Sequence, residues 1–170
     1  MKESNSIENL NGQAAIDKIK ELVKHGRTCL MMTDLDNRPF TVRPMAPQKV
    51  TDAGELLFFS DRRSNKNLDI EASSDMHITF SNDGDNEYMS LFGTARTYRD
   101  QQEIDELYNS FANTWFEGKD DPNLTIIRFS PSEGHYWDSK HGKAVQMVGI
   151  LIGAITGKQT DDGREGDLKP

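Results

Sequence analysis

Cationic side chains are concentrated in one stretch of an otherwise acidic chain. The chain has 170 residues and a formal net charge of −8, yet its segment 38–66 carries six cations and three anions, a net charge of +3. This local excess favours a small anionic ligand, because the acidic remainder of the surface would repel a nucleic acid. We therefore expect an anion-binding site in this segment and no nucleic-acid partner.

Two polar residues of this segment stand at a predicted helix start. Ser64 is a typical N-cap residue for a helix over Asn65–Ala72. The backbone N–H groups of the first turn and the Lys66 ammonium would then face the same spot, an arrangement that binds phosphate groups without a Walker-type loop. A solvated basic turn with an ordinary helix cap is equally compatible with the spacing alone.

The elements that would position these cations are two strands and a turn. One extended run covers Phe40–Met45, and a turn is predicted over 51–54, where Asp52 and Gly54 are typical turn residues. A short apolar strand over Leu56–Phe59 then leads directly into the basic loop 60–66.

The rest of the chain reads as short strands with a few helices. Helices are predicted over 13–24 and 143–156, and a third begins at residue 101, with Asp100 as its N-cap and Phe111 on its inner face. Strands are predicted over 27–34, 76–82, 87–98, 124–129 and 133–137. Gly93 indicates a bulge or a close backbone approach. The hairpin turns favour a small antiparallel barrel over a parallel α/β sheet.

Length and composition predict one domain in a reducing compartment. We expect a flexible N-terminus over 1–12, a single domain over 13–157 and a disordered tail over 158–170. The one cysteine, Cys29, excludes an intramolecular disulfide, and neither a signal peptide nor a membrane-spanning run is evident, so we expect a cytoplasmic protein. The four histidines show no metal-ligand spacing, so no metal is expected.

Several motifs together resemble one known family. Arg43-Pro44-Met45, Phe58-Phe59-Ser60-Asp61 and Ser64-x-Lys66 resemble the flavin site of the pyridoxamine 5′-phosphate oxidase-like split barrels, and among them most resemble the general stress protein 26 group. The likeness continues through 88–98, 115–116, 121–122 and 136–137. It implies a mainly β fold with flanking helices: a split β-barrel of the antiparallel Greek-key type that binds FMN, with FAD as the alternative cofactor.

The resemblance also assigns the phosphate end of the cofactor. Ser64 and Lys66 would bind the FMN phosphate with help from the helix N-terminus. Arg43, at a strand end, would bind phosphate or ribityl oxygens, since its planar guanidinium can make bidentate contacts. Arg62 and Arg63 are expected to be solvated.

The isoalloxazine ring is assigned to four further positions. Pro44-Met45 would lie along the ring, and Phe59-Ser60 would present backbone groups to its polar edge. Trp137 matches an aromatic residue that approaches the flavin from the second subunit, which implies a homodimer with flavin at the interface. Trp115 is a second aromatic candidate. Packing in the core remains an alternative for both tryptophans.

Two departures from the true oxidase bear on function. Asn65 stands where the oxidase has arginine, and after Trp137 no arginine follows until Arg164, so the flavin site resembles the family while the vitamin B6 substrate site does not. We therefore expect an FMN-binding general stress protein that is a flavin-dependent oxidoreductase of an unknown small substrate. The alternatives are a non-catalytic flavin carrier or regulatory module and, least expected, a pyridoxamine 5′-phosphate oxidase.

Overall fold

A computed structural model describes residues 6–139 and 163–170. The strands are β1 (Ser6–Ile7), β2 (Leu10–Asn11), β3 (Cys29–Thr33), β4 (Thr41–Met45), β5 (Lys49–Val50), β6 (Leu56–Asp61), β7 (Asp75–Asn82), β8 (Glu87–Tyr98), β9 (Leu124–Ser139) and β10 (Gly163–Lys169). The helices are α1 (Gln13–Gly26), α2 (Asn65–Ala72), α3 (Gln101–Leu107) and a 3-10 helix over Ser110–Thr114. No helix in these ranges is both long enough and apolar enough to cross a bilayer.

The strands form one open sheet whose centre is β9. Its main path runs β1-β10-β9-β8-β7-β3-β4, and β6 joins β9 to the short β5. The first half of β9 pairs with β6, and its second half pairs with β10. On its other edge, β9 pairs with β8 along nearly the whole length of β9. This sheet confirms the prediction of a mainly β protein with flanking helices.

Strand β6 is buried on both faces because it lies between two cores. Leu56 and Phe58 point into the larger core, which α1 closes with Ile19 and Leu22. Leu57 points into a smaller core that also contains Ile104 of α3. A strand whose two faces are both covered has a continuous apolar sequence. The burial of each large side chain contributes about 1.5–3 kcal/mol to the stability of the fold. The end of β6 is therefore held rigidly beside α2.

The local predictions hold at most of the element ends. Helix α2 covers the predicted range with Ser64 at its N-cap, and Asp100 caps α3 by accepting a hydrogen bond from the Glu103 backbone N–H. Gly93 marks a register shift between β8 and β9, where a Cβ atom would lie 2.1 Å from the Ser130 carbonyl oxygen. The predicted bulge and close approach are thus confirmed.

Two predictions in the middle of the chain are wrong. The strands expected over 124–129 and 133–137 are one continuous strand, β9, because the Gly93 bulge lets β8 follow it past Pro131. Phe111 does not lie on the inner face of α3, which ends at Leu107; Phe111 instead belongs to the 3-10 helix and is 59% exposed.

The expected flexibility at the two ends of the chain is wrong for the described residues there. β10 pairs in parallel with β1 and β2 and antiparallel with β9. The buried Asp138 carboxylate holds this corner, since it accepts hydrogen bonds from Arg164 at 2.6 and 2.8 Å and from Lys18 at 3.1 Å. The sequence did not predict these strands because their composition is polar, and ion pairs help to hold them in the sheet. The helix predicted over 143–156 lies outside the described residues.

Candidate functional site

A cleft of about 480 Å³ opens where β4 and β6 end beside α2 and the 3-10 helix. Its size is within the range of small-molecule sites, roughly 300–1,000 Å³. The residues that line it are Pro44, Met45, Ala46, Gln48, Phe59, Ser60, Asp61, Lys66, Phe111, Ala112, Trp115 and Phe116. Six predicted site residues therefore meet in one cleft: Pro44, Met45, Phe59, Ser60, Lys66 and Trp115.

Lys66 is a half-buried cation without a carboxylate partner at ion-pair distance in the described chain. Burial lowers the pKa of Lys66, the nearby Arg43 guanidinium lowers it further, and only Asp61 acts in the opposite direction. Lys66 also lies in the first turn of α2, where the helix dipole disfavours a cation. Attraction to an anionic group in the cleft would offset these unfavourable effects.

A buried hydrogen-bond network fixes the end of β6 against the start of α2. Asn67 is 2% exposed, and its Oδ1 accepts hydrogen bonds from Ser60 Oγ at 2.5 Å and Ser64 Oγ at 3.3 Å. Asn67 Nδ2 donates to Thr125 Oγ1 at 3.0 Å, and Thr125 in turn donates to the Ser60 carbonyl at 2.8 Å. Sequence reasoning missed Asn67 and Thr125, which have no motif of their own.

Ser64 is placed as predicted but bonds differently. Its backbone is extended at the N-cap position, yet its side chain makes no capping hydrogen bond to the helix. The hydroxyl instead lies 3.3 Å from Ser60 Oγ within the same network. The Ser64 hydroxyl therefore leaves the Asn65 and Lys66 N–H groups to other acceptors, while the Asn67 N–H donates to the Ser64 carbonyl at 3.0 Å.

Arg43 lies behind the cleft rather than on its lining. Its guanidinium donates hydrogen bonds to Thr33 Oγ1 at 2.7 Å and to the Asp69 carboxylate at 3.3 Å, and the Thr33 hydroxyl donates to the same carboxylate at 2.7 Å. This pair joins β4 to α2. Arg43 thus contributes positive charge close to Lys66 while its own position is fixed by an anion, a role that the sequence did not predict.

The two tryptophans lie in different places. Trp115 is 63% exposed, lines the cleft and packs edge-on against Phe111 with ring centroids 4.8 Å apart. Trp137 is 39% exposed, is not on the cleft lining and packs against the His135 ring, 4.5 Å between centroids. The alternative interpretation, packing in the core, is therefore wrong for both tryptophans.

The predicted solvation of the basic loop is consistent with the structure. Arg62 and Arg63 are both exposed, and Arg63 pairs with Asp61 at 2.8 Å. This pairing lowers the pKa of Asp61 to about 2. Asp61 therefore remains an anion at the cleft edge but is occupied by Arg63.

Sequence analysis did not identify one group of possible metal ligands. Glu21, His25 and Glu87 offer ligand atoms that lie within 4.8 Å of one another. The i,i+4 spacing of Glu21 and His25 on a helix could have signalled it. Both carboxylates of the group also accept protein hydrogen bonds, Glu21 from Lys18 and Glu87 from Asn82.

Comparison with known proteins relates the chain to one family of sequences. The model of the family described as pyridoxamine 5′-phosphate oxidase-like matches residues 14–161. Protein bli-3 of Neurospora crassa is 28% identical over 140 residues, which are 75% of this chain and 67% of that protein. General stress protein 26 of Bacillus subtilis is 31% identical over 78 residues, 44% of this chain and 55% of that protein.

Solved structures share the fold. A protein from Jannaschia sp. CCS1 assigned as general stress protein 26 aligns with a TM-score of 0.73 and 23% identity, over 91% of this chain and 99% of that one. The general stress FMN/FAD binding protein of Xanthomonas citri aligns with a TM-score of 0.63 and 26% identity, over 73% of this chain and 87% of that one. This likeness and the open sheet confirm the predicted split-barrel fold.

Proposed function

The chain belongs to the pyridoxamine 5′-phosphate oxidase-like family, and from this premise we propose that it binds FMN in the cleft and acts as a flavin-dependent oxidoreductase of the general stress protein 26 type. The observation that carries the proposal is Lys66, a half-buried cation without a described carboxylate partner at a cleft. The flavin-binding relative from Xanthomonas citri supports it. The buried Cys29, a single thiol, is consistent with a cytoplasmic location.

The phosphate of FMN belongs at the start of α2 in this proposal. Lys66 supplies a charge-assisted hydrogen bond, and the N–H groups of the first helical turn supply further donors. Ser60 lines the adjoining wall, and its hydroxyl shares the Asn67 Oδ1 acceptor with Ser64 behind it. Arg43 adds positive charge from behind, although Asp69 offsets part of it.

The flavin ring belongs over the apolar part of the same cleft. Met45 and Phe59 line this part, and Phe59 is held by ring contacts with Phe116 at 6.4 Å and Tyr108 at 6.0 Å between centroids. When bound, the flavin supplies electron and hydride transfer, while the protein supplies binding, orientation and electrostatics.

An exposed aromatic wall favours an enzyme over a carrier. A carrier would bury both faces of its ring, whereas Trp115 and Phe111 on the cleft wall are 63% and 59% exposed. A substrate could therefore reach the ring past these side chains. This openness is the reason for preferring an oxidoreductase to a non-catalytic flavin-binding or regulatory module.

We also propose that the protein is a homodimer. Four apolar side chains on one sheet face are 38–48% exposed: Leu30 and Val42 on the pair β3-β4, and Tyr88 and Trp137 on the pair β8-β9, with β7 between the two pairs. A second copy that covered this face would remove apolar surface from water. Trp137, which does not line the cleft of its own chain, would then be free to approach the flavin of the partner.

Flavin titration tests the proposed function. We expect the purified protein to quench the fluorescence of added FMN at one site per chain and to bind riboflavin much more weakly, because riboflavin lacks the phosphate. Lys66→Met should weaken FMN binding at least about tenfold, since a charge-assisted hydrogen bond contributes about 1.5–3 kcal/mol. Arg43→Ala should weaken it as well.

Arg62→Gln is the matched control, because this exposed cation of the same loop does not line the cleft. Unchanged FMN affinity in Lys66→Met would contradict the phosphate assignment, and equal affinity for FAD would contradict the choice of FMN. Turnover is tested separately: the bound flavin is reduced without oxygen by one equivalent of dithionite, and we expect an added quinone to reoxidise it faster than it reoxidises free reduced FMN. A rate no faster than that of free reduced FMN would favour the non-catalytic module.

A further inference from the structure

A second cleft lies beside the proposed flavin cleft and carries only positive charge on its described lining. It has a volume of about 380 Å³ and lies between the end of α1 and strand β5. The charged residues that line it are Lys20, Lys24, Arg27 and Lys49, with no carboxylate among the described lining residues. In a chain with a net charge of −8, such a concentration of cations favours an anionic ligand.

Most of these cations are not neutralised by described side chains. Lys20 pairs with the Asp52 carboxylate at 3.0 Å, and Lys49 acts on the same carboxylate only through longer-range attraction. Within residues 6–139 and 163–170, Lys24 and Arg27 form no ion pair. The cleft therefore retains a positive charge that its own surroundings do not cancel.

The end of α1 accounts for two of these residues, Lys24 in its last turn and Arg27 at its C-cap. Lys24 lies in the last turn of α1, where a cation interacts favourably with the helix dipole. Arg27 follows the helix with a φ of 56°, a left-handed conformation in which glycine would be less strained. Lys49 lies on another element, β5. Cations from two elements, the end of α1 and strand β5, thus converge on one cleft, and helix capping does not account for Lys49.

Gln48 connects the two clefts. Its side chain lines both of them, and it is fixed from two sides: Nε2 donates to the Ala46 carbonyl at 3.0 Å, and Oε1 accepts from Asn109 Nδ2 at 2.9 Å. The two clefts therefore adjoin at one residue whose side chain is held in place.

We propose that this cleft, defined by Lys24, Arg27 and Lys49, binds the phosphate groups of a second, phosphorylated reactant whose uncharged part reaches the flavin cleft past Gln48. The guanidinium of Arg27 suits bidentate contact with phosphate oxygens, and the two ammonium groups add point charges. The inference rests on the proposed flavin-binding function, because the FMN phosphate is assigned to Lys66 and a second anion site then belongs to another ligand.

Calorimetric titration with inorganic pyrophosphate tests the site. The titration uses the FMN-loaded protein in about 0.15 M NaCl, where loose surface attraction is screened. We expect one pyrophosphate per chain, and binding at least about tenfold weaker in Lys24→Gln/Arg27→Gln. Lys169→Gln removes one cation from an exposed strand position outside the cleft and should leave binding unchanged.

The two assignments can fail independently. Lys24→Gln/Arg27→Gln should bind FMN as the parent does, whereas Lys66→Met should lose FMN affinity and keep pyrophosphate binding at the basic cleft. If the protein does not bind FMN, the same titration on the flavin-free protein still tests the basic cleft, by comparing pyrophosphate binding in Lys24→Gln/Arg27→Gln with that in Lys66→Met. The single variants Lys24→Gln and Arg27→Gln replace the double variant if its circular dichroism differs from that of the parent. Absent pyrophosphate binding, or equal binding in the cleft variants, overturns the proposal.

Discussion

At the scale of single residues, Lys66 lies where its positive charge lowers the stability of the folded protein. Burial and the neighbouring Arg43 lower the pKa of Lys66, so the unfolded chain keeps this proton to a higher pH than the folded protein does. The cost is therefore fully present below the folded pKa and disappears as the pH rises towards the ordinary value of 10.5. A cation retained at such a cost is characteristic of a binding site.

We predict that Lys66→Met does not lower, and slightly raises, the free energy of unfolding of the flavin-free protein at neutral pH. Saturating FMN should stabilise the parent by about 2.7 kcal/mol at a hundredfold excess over Kd, and the variant much less. Urea unfolding with and without FMN measures both effects. A large loss of stability in the flavin-free variant would show that Lys66 is structural.

At the scale of elements, the junction of β6, α2 and β9 depends on a side chain that no motif reveals. Asn67→Ala removes the acceptor of Ser60 and Ser64 and the donor to Thr125. Each buried group left unsatisfied costs about 1–3 kcal/mol, so we expect a loss of stability of at least that size together with weaker FMN binding. Asn37→Ala is the control, because its hydrogen bond to Asp34 is exposed. Equal unfolding midpoints for the two variants would contradict this role.

The terminal strands provide a second test at this scale. Gly166 is buried in β10, and an added Cβ would lie 1.9 Å from the Glu8 carbonyl oxygen. Gly166→Ala must therefore push the segment around β1 away from the sheet, and we expect lower stability and faster proteolysis near residue 8. The neighbouring exposed substitution Lys169→Ala should change neither measurement. Parent-like protection in Gly166→Ala would mean that the strands do not pair as described.

At the scale of the whole molecule, the proposed dimer accounts for the exposed sheet face. Light scattering at micromolar concentration should give about twice the chain mass of 19.2 kDa. Leu30→Asp introduces a charge on that face and should give the mass of a single chain with weaker FMN binding, whereas Ile7→Asp, at another exposed apolar position, should leave the mass unchanged. A single-chain mass for the parent protein would rule out the dimer.

We also predict no useful oxidation of pyridoxine 5′-phosphate. Within this chain, Arg164 is the one arginine after Trp137, and its guanidinium is occupied by Asp138 and by Glu8 at 3.1 Å. The phosphate of pyridoxine 5′-phosphate would therefore lack a bidentate partner from the segment after Trp137 to hold this substrate against the flavin, and such positioning supplies many orders of magnitude in rate. Flavin-loaded protein, substrate and oxygen are assayed for the aldehyde product. Multiple turnovers would contradict the prediction.

The sequence alone determined the elements whose causes are local. The apolar run of β6, the N-cap at Ser64 and the Asp100 cap all depend on residues within one or two turns of each other, so their patterns could be read directly. Most of the family motifs likewise lie in one short stretch, 43–66, and they account for five of the six lining residues that were predicted among the twelve of the cleft.

Only the tertiary structure decided which distant groups meet. β10 and its contacts at Asp138 depend on pairing across the whole chain, and Asn67 gains its role only when Thr125 is brought beside it. Trp115 and Trp137 are separated because Trp115 follows the 3-10 helix at the cleft, whereas Trp137 lies in the half of β9 that pairs with β10. A polar side chain has the same sequence signature whether it is solvated or paired, because its partner is chosen by the fold and not by its neighbours in the chain.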